Sequence, residues 1–318
     1  MKDIYNELIQ NIKQATPLGA NSVDTLTDII PMSKEAAYRR LRNEINFSFD
    51  EVVKIAKELN VSLDNLIGLS QRNRYNVQMT CVNSDDLVEQ YRLSFEEIIA
   101  EAKKLKTCSN PVITLFTDML IPFSHTFKYE TIAKFRLFKW TFRWNEEIAP
   151  VKMHEITLSS DIIRLENELY REMTNIPTHY ICMPELIQSY VRNIQYCQKI
   201  NLITDEDVLK LKNETFRVLD DLESDATTGM LRNKAPFYMY LCNSYFNETY
   251  LYYGSNEYEA VTTQLFGVGF YFFKDIRIIN QMKNWINTLI RDSTLISVSG
   301  EKQRFEFFRR QRLIVDTL

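Results

Sequence analysis

Residues 21–44 read Asn21-Ser-Val-Asp-Thr-Leu-Thr-Asp-Ile-Ile-Pro31-Met-Ser33-Lys34-Glu-Ala-Ala-Tyr-Arg-Arg-Leu-Arg-Asn-Glu44, and this stretch decides the fold of the N-terminal region. A short helical run ends at Pro31, because proline cannot continue a helix. A second helix is predicted after Ser33, whose hydroxyl can accept a hydrogen bond from a free amide of the first turn. Two short helices joined by a tight turn predict a helix-turn-helix, a unit whose second helix lies in the major groove of DNA.

The predicted second helix has an inner and an outer face. Ala37 and Leu41 are four residues apart and should pack inward. Residues 34–43 contain four basic side chains and one acidic side chain, in a chain whose net charge is −4. Because the overall balance is acidic, any contact with nucleic acid must be local, and a basic stripe on one helix is typical of phosphate contact.

Roles on the outer face follow from the position of each residue along the helix. Lys34 and Glu35 lie at its N-terminus, where side chains reach base edges. Tyr38 and Arg39 lie one turn further on and can contact bases or backbone, while Arg40 and Arg42 should mainly hold phosphate. The predicted DNA-contacting residues are Ser33, Lys34, Glu35, Tyr38, Arg39, Arg40 and Arg42.

Two further motifs flank this unit. Ser48-Phe-Asp-Glu51 is a capping box that opens another helix, and Asn60-Val-Ser-Leu-Asp-Asn-Leu-Ile-Gly68 predicts a short closing helix. With a first helix at residues 2–15, this order resembles the lambda-repressor-like regulators of the xenobiotic-response-element type. The resemblance covers residues 1–69, about a fifth of the chain, and implies a five-helix domain that binds double-stranded DNA. The chain departs from the family at Ile30-Pro31-Met32, where a glycine is usual in the turn.

The remaining chain is divided by composition. Residues 1–69 are expected to form the DNA-binding domain, 70–90 a polar linker and 91–318 a larger C-terminal domain of the α+β class. That domain should be helical over 91–235, with a helix opening at the capping box Ser94-Phe-Glu-Glu97 and another at Pro184. A helix is also favoured for the apolar run 112–123, whereas 178–183 reads as a short strand or a loop.

Aromatic and β-branched runs then predict an antiparallel meander of three or four strands within 236–273, covered by helices on at least one face. Amphipathic helices follow at 275–291 and 301–312. The overall prediction is a mainly α protein with a smaller antiparallel β-sheet.

Three patterns in the C-terminal domain allow two interpretations each. Aromatic and basic residues alternate over 129–144, which can bind single-stranded nucleic acid or can form a buried aromatic helix face. The heptad-like stripe Val208, Leu211, Thr215, Val218 and Leu222 can be a dimer seam or a core stripe. Aromatic side chains of the sheet can fill the core or line a ligand pocket. The predicted pocket residues are Tyr238, Tyr240, Tyr250, Tyr252 and Phe270.

Signatures of other functions are sparse in the sequence. None of the three histidines lies near a cysteine or a second histidine at metal-ligand spacing, and glycine is scarce, at 7 residues. His154-Glu155 lacks the second histidine of a zinc-protease motif, because position 158 is leucine. We therefore expect no catalytic site, no metal and no cofactor. The chain shows no apolar leader or long apolar run and has five widely spaced cysteines, so a cytoplasmic protein with reduced thiols is expected.

These patterns together predict a sequence-specific transcriptional regulator. Its partners would be double-stranded DNA, a second copy of the chain and a small-molecule or protein effector, with no membrane contact. The alternative is a protein-interaction module that keeps the helix-turn-helix fold without binding DNA.

Overall fold

The computed structural model describes residues 2–16, 21–59, 61, 63, 86–117, 125–144, 151–244, 249–264 and 270–318. The chain forms two compact units, Met1–Val77 and Gln78–Leu318. Within the described residues, the first unit contains α1 (Lys2–Ala15), α2 (Ser22–Ile29), α3 (Lys34–Leu41) and α4 (Phe49–Glu58). Most of the closing helix expected at 60–68 and most of the linker expected at 70–90 lie outside the described residues.

Local side-chain caps set the helix boundaries of the first unit. Asn21 accepts a hydrogen bond from the amide of Val23 at 3.0 Å, which starts α2. At the start of α4, the Ser48 amide donates to the Glu51 carboxylate and the Glu51 amide donates to the Ser48 hydroxyl, so the predicted capping box is confirmed. The apolar faces of the four helices meet in one buried core that includes Leu8, Ile12, Leu26, Ala37 and Ile55.

The second unit is built from seven helices and seven strands within the described residues. The helices are α5 (Leu87–Lys106), α6 (Glu130–Trp144), α7 (Ser160–Met173), α8 (Gln188–Lys199), α9 (Asp205–Thr228), α10 (Ile276–Arg291) and α11 (Glu301–Val315). Two short 3-10 turns lie at His125–Lys128 and Met153–Glu155. The strands are β1 (Val112–Thr117), β2 (Thr178–Cys182), β3 (Phe237–Cys242), β4 (Tyr250–Gly254), β5 (Glu259–Gln264), β6 (Phe270–Phe273) and β7 (Ser293–Leu295).

All seven strands form one mixed sheet in the order β6-β5-β4-β1-β2-β3-β7. The neighbouring strands β1, β2 and β3 are parallel to one another, and the other pairings are antiparallel. The predicted α+β class is confirmed, and β4, β5 and β6 form the antiparallel meander. β3 lies apart from that meander, because β1 and β2 separate it from β4.

The helix favoured at 112–123 is corrected by the structure, whereas the strand option for 178–183 is confirmed. Val112–Thr117 is β1 and Thr178–Cys182 is β2, and both strands lie at the centre of the sheet. A strand that is buried on both faces reads as a continuous apolar run, so its period cannot be distinguished from that of a buried helix.

Two helix starts also differ from the sequence prediction. α5 begins at Leu87, where Asp86 accepts from the amide of Val88, while Ser94 lies inside the helix and donates to the carbonyl of Gln90 at 2.8 Å. α8 begins at Gln188 after a turn rather than at Pro184.

The sheet is covered unequally on its two faces. The larger core joins one face to α5, α6, α7, α9 and α11 through buried residues such as Tyr91, Leu169, Leu219 and Phe308. On the opposite face, α10 packs its buried residues Ile279, Ile286 and Leu289 on the sheet. The prediction of helices on at least one face is thus confirmed.

Burial decides two of the open interpretations in favour of core packing. The stripe of α9, from Val208 to Leu222, is 5% exposed or less and packs within the chain's own core, so it is unavailable as a dimer seam. In α6, Ile132, Phe135 and Phe138 are likewise buried, as expected for an aromatic core face. Within the described residues, no helix combines the length and the apolarity that crossing a membrane requires.

Candidate nucleic-acid interface

Helix α3 is held in the first unit by its start and by its inner face. The Ser33 hydroxyl accepts a hydrogen bond from the Ala36 amide at 3.2 Å, so the predicted N-cap is confirmed. Ala37 is fully buried in the core shared with α2 and α4, and its small side chain permits the close crossing of these helices. The turn that contains Pro31 therefore connects α2 to α3 without a glycine.

The opposite side of α3 is open to solvent. The exposed fraction of the side chain is 70% for Lys34, 54% for Arg39 and 72% for Arg42, and Tyr38 is 47% exposed. Glu35 is exposed as well, and these residues recur every three or four positions. An eight-residue helix is about 12 Å long, so the exposed face is a compact patch that fits the width of a DNA major groove.

Ion pairs with nearby carboxylates modify the charge of this patch. Lys34 Nζ lies 2.6 Å from Asp24 of α2, and the hydrogen bond and charge of Asp24 raise the pKa of Lys34. The guanidinium of Arg39 lies 3.6 Å from Glu44, and that of Arg42 lies 4.0 Å from the same carboxylate. All these pairs are largely exposed, so they are weak and can be exchanged for contacts with phosphate.

Arg40 stands apart from the other predicted contact residues. Its Nη2 and Nε donate to the two carboxylate oxygens of Glu51 at 2.9 and 3.3 Å, and its guanidinium carbon lies 5.9 Å from the centre of the Phe47 ring. The Arg40 and Glu51 side chains are only 17% and 16% exposed. The structure thus places Arg40 between α3 and α4, away from the solvent-exposed patch.

Glu51 connects this ion pair to the capping box. Partial burial raises the pKa of Glu51, but the Ser48 amide and the Arg40 guanidinium outweigh this effect, so the pKa lies below the ordinary glutamate value. One carboxylate therefore caps α4 and fixes α3 against it. Arg40 holds the recognition helix in place rather than projecting from it.

The end of α3 introduces a residue that the sequence patterns missed. Asn43 adopts a left-handed conformation, with φ of 58°, its amide donates to the Arg40 carbonyl, and the Glu44 amide donates to the Arg39 carbonyl. This is a Schellman motif with asparagine in the usual glycine position. The motif folds Glu44 back toward Arg39 and Arg42. Helical spacing does not predict that contact, because Glu44 lies beyond the end of the helix. An asparagine after the basic end of a helix does indicate that a left-handed residue can end the helix there.

The residues of the predicted ligand pocket divide between the two faces of the sheet. Tyr250 and Tyr252 belong to the face that α10 covers, where Tyr250 stacks on Phe116 at 5.2 Å between ring centres. The hydroxyl of Tyr252 donates to Glu259 at 2.5 Å.

Tyr238 and Tyr240 flank the ring of His179, at 4.8 and 5.8 Å between centres. Phe270 is buried in the larger core on the other face, 6.3 Å from Phe95 between ring centres. The structure thus brings the four tyrosines to one face and separates Phe270 from them.

Comparison with known protein families gives a match in the N-terminal part of the chain. Residues 4–103 match the family model of the BetR domain, a helix-turn-helix-like family of DNA-binding domains. The matched range covers 100 of the 318 residues and runs from α1 into α5. No curated protein and no solved structure shows significant similarity to the chain. The N-terminal region is therefore similar to the DNA-binding domain of a helix-turn-helix regulator.

Proposed function

We propose that this chain is a sequence-specific, DNA-binding transcriptional regulator whose N-terminal domain is of the lambda-repressor-like type. The proposal rests on the two faces of α3, of which one is buried and the other is exposed. Ala37 is buried in the core, while Lys34, Tyr38, Arg39 and Arg42 are exposed on the opposite face. The BetR match over residues 4–103 supports the same function.

Roles within the proposed interface follow from position and exposure. Lys34 and Glu35, at the N-terminus of α3, would read base edges, and Tyr38 and Arg39 would contact bases or backbone. Arg42, at the C-terminal end, would neutralise phosphate. Arg40 contributes by positioning α3 through Glu51. Ser33 caps the start of α3 and would lie beside the DNA backbone.

The second unit is proposed to supply dimerisation and to respond to a small-molecule or protein effector, without catalytic activity of its own. Its aromatic sheet face, with Tyr238 partly exposed beside His179, is the proposed effector-facing surface. Two-fold pairing of the chain would present two copies of α3 to a palindromic operator.

The test is binding of the full-length protein to a fragment of its own upstream DNA across a salt series. An Arg39→Ala, Arg42→Ala double variant should bind more weakly, and the slope of log affinity against log salt should fall by roughly two because two positive charges are removed from the interface. An Arg164→Ala, Arg291→Ala double variant removes two well-exposed cations of the second unit and should leave the slope unchanged. Equal effects of the two double variants would refute the assignment of α3.

A specific observation favours the alternative of a protein-interaction module. Asp24, Glu35 and Glu44 lie on or beside the same patch and balance the charges of Lys34, Arg39 and Arg42, so the patch has no net positive charge. If selection from random DNA recovers no preferred sequence and affinity does not depend on salt, the patch binds protein rather than DNA.

A further inference from the structure

Helix α11 is apolar on two opposite sides, although only one side packs in the core. Phe307, Phe308 and Val315 are buried in the larger core of the second unit. On the outer side, Phe305 is 63% exposed and Leu313 is 56% exposed. Large apolar side chains that lie eight residues apart on one helix face mark a surface that binds another apolar surface.

Two grooves lie beside this outer face of α11. Between α8 and α11 there is a groove of about 270 Å³, with Val191 and Leu313 in its lining. Between α9 and α11 there is a groove of about 330 Å³, lined by Phe305 and Leu313 among others. A helix with a groove on each side can receive the ridge of a second helix.

The outer face of α11 is complementary to itself when two copies run antiparallel. In such a pair centred on Arg309, residues placed symmetrically about position 309 lie at the same height along the two helices. This symmetry sets Phe305 opposite the partner's Leu313 and Lys302 opposite the partner's Asp316. Lys302 and Asp316 are both well exposed, with 83% and 61% of the side chain open to solvent. Each apolar residue of this face thus meets an apolar residue, and Lys302 and Asp316 each meet a residue of opposite charge.

The centre of the pair is also compatible with its charges. Two Arg309 side chains approach the axis, but each lies only three residues, or about 4.5 Å along the axis, from the level of the partner's Glu306. Glu306 is 61% exposed. An arginine side chain is long enough to span that offset. The two Arg309 guanidinium groups can therefore turn away from each other, each toward the Glu306 carboxylate of the other copy.

We propose that the outer face of α11 is the homodimer interface of this protein, with two copies of α11 packed antiparallel about a two-fold axis at Arg309. Phe305 is the anchor that enters the groove beside the partner's Leu313. The Lys302 to Asp316 pairs at both ends fix the antiparallel direction. The interface is argued from the second unit alone and does not depend on DNA binding.

The first test measures the mass of the full-length protein by sedimentation over a wide range of concentration, without DNA. The wild type should approach twice the chain mass of 37.7 kDa. Phe305→Glu should raise the dimer dissociation constant at least tenfold, as expected for the loss of an aromatic anchor. Ile276→Glu is the matched control, because Ile276 is 59% exposed on α10, on the opposite side of the sheet, and its substitution should leave the mass unchanged.

The second test exchanges charges and is insensitive to a general loss of stability. Lys302→Glu alone and Asp316→Lys alone each place like charges opposite each other at both ends of the pair and should weaken the homodimer. An equimolar mixture of the two variants should form heterodimers preferentially, because every end then carries opposite charges. A monomeric wild type, a dimer that resists Phe305→Glu, or a mixture without heterodimer preference would each overturn the proposal. DNA binding by a monomer would leave the function of α3 intact while this interface is refuted.

Discussion

Replacing Arg40 with alanine should loosen the first unit without removing a DNA contact. The variant deletes two charge-assisted hydrogen bonds to Glu51, of 2.9 and 3.3 Å, between side chains that are about five-sixths buried. Removing one partner of a fully buried pair costs about 3–5 kcal/mol, whereas an exposed pair contributes about 0–1 kcal/mol. Glu51 keeps its hydrogen bond from the Ser48 amide, so its carboxylate still has a hydrogen-bond partner. We therefore expect a loss of about 2 kcal/mol.

Hydrogen exchange of the full-length protein measures this loss where it occurs. A decrease of about 2 kcal/mol in the free energy of opening speeds exchange about 30-fold, and the effect should fall on the amides of α2, α3 and α4. Arg39→Ala is the comparison, because Arg39 forms only an exposed pair with Glu44 at 3.6 Å. It should change exchange less than about fivefold, which corresponds to at most about 1 kcal/mol.

DNA binding should also distinguish the two variants, but here Arg39→Ala should have the larger effect. Arg39→Ala should reduce the salt slope by about one, whereas Arg40→Ala should keep the slope of the wild type under conditions where the first unit stays folded. If Arg40→Ala left the exchange rates unchanged and reduced the slope as Arg39→Ala does, Arg40 would contact phosphate and the positioning role would be wrong.

Three predictions concern the second unit. Arg136→Met should destabilise the protein by about 3–5 kcal/mol in chemical denaturation, because Glu166, 1% exposed, loses the guanidinium that lies 2.6 Å away; a loss under about 1 kcal/mol would contradict this. Gly229→Ala should cost about 2–3 kcal/mol, since φ is 68° and an added Cβ would lie 2.3 Å from a methyl of Val298; an unchanged unfolding midpoint would argue against it. Burial lowers the pKa of His179, so the unfolded chain binds this proton more tightly and wild-type stability should fall as the pH drops below about 6.5. His179→Phe should flatten that dependence between roughly pH 7 and 5, and identical pH profiles would exclude the contribution of His179.

Interactions between residues close in sequence explain why the first unit was predictable. The N-cap at Ser33 and the capping box of Ser48 and Glu51 each join residues three positions apart, and the structure contains both. The inward position of Ala37 follows from helical period alone. The candidate DNA-contacting face could therefore be outlined from residues 33–43, with the exception of Arg40.

The strands of the second unit were less accessible to sequence reasoning. β4, β5 and β6 pair with their neighbours along the chain through short connections, and their aromatic runs predicted the meander. β1 and β2 pair although sixty residues of chain separate them, and β1 also pairs with the distant β4. β1 is buried over most of its length and reads as a continuous apolar run, so no alternation marks it, whereas the sequence left 178–183 open to a strand or a loop.

The sequence by itself determined the helix-turn-helix of the first unit, its caps and the basic character of α3, because those features depend on contacts within a few residues. Only the tertiary structure decided that Arg40 binds Glu51, that Phe270 lies on the opposite face from Tyr238, and that the stripe of α9 is core while Phe305 of α11 is exposed. Each of these depends on which distant element packs against the residue. Local periodicity specifies a face of a helix or strand but does not specify which element covers that face.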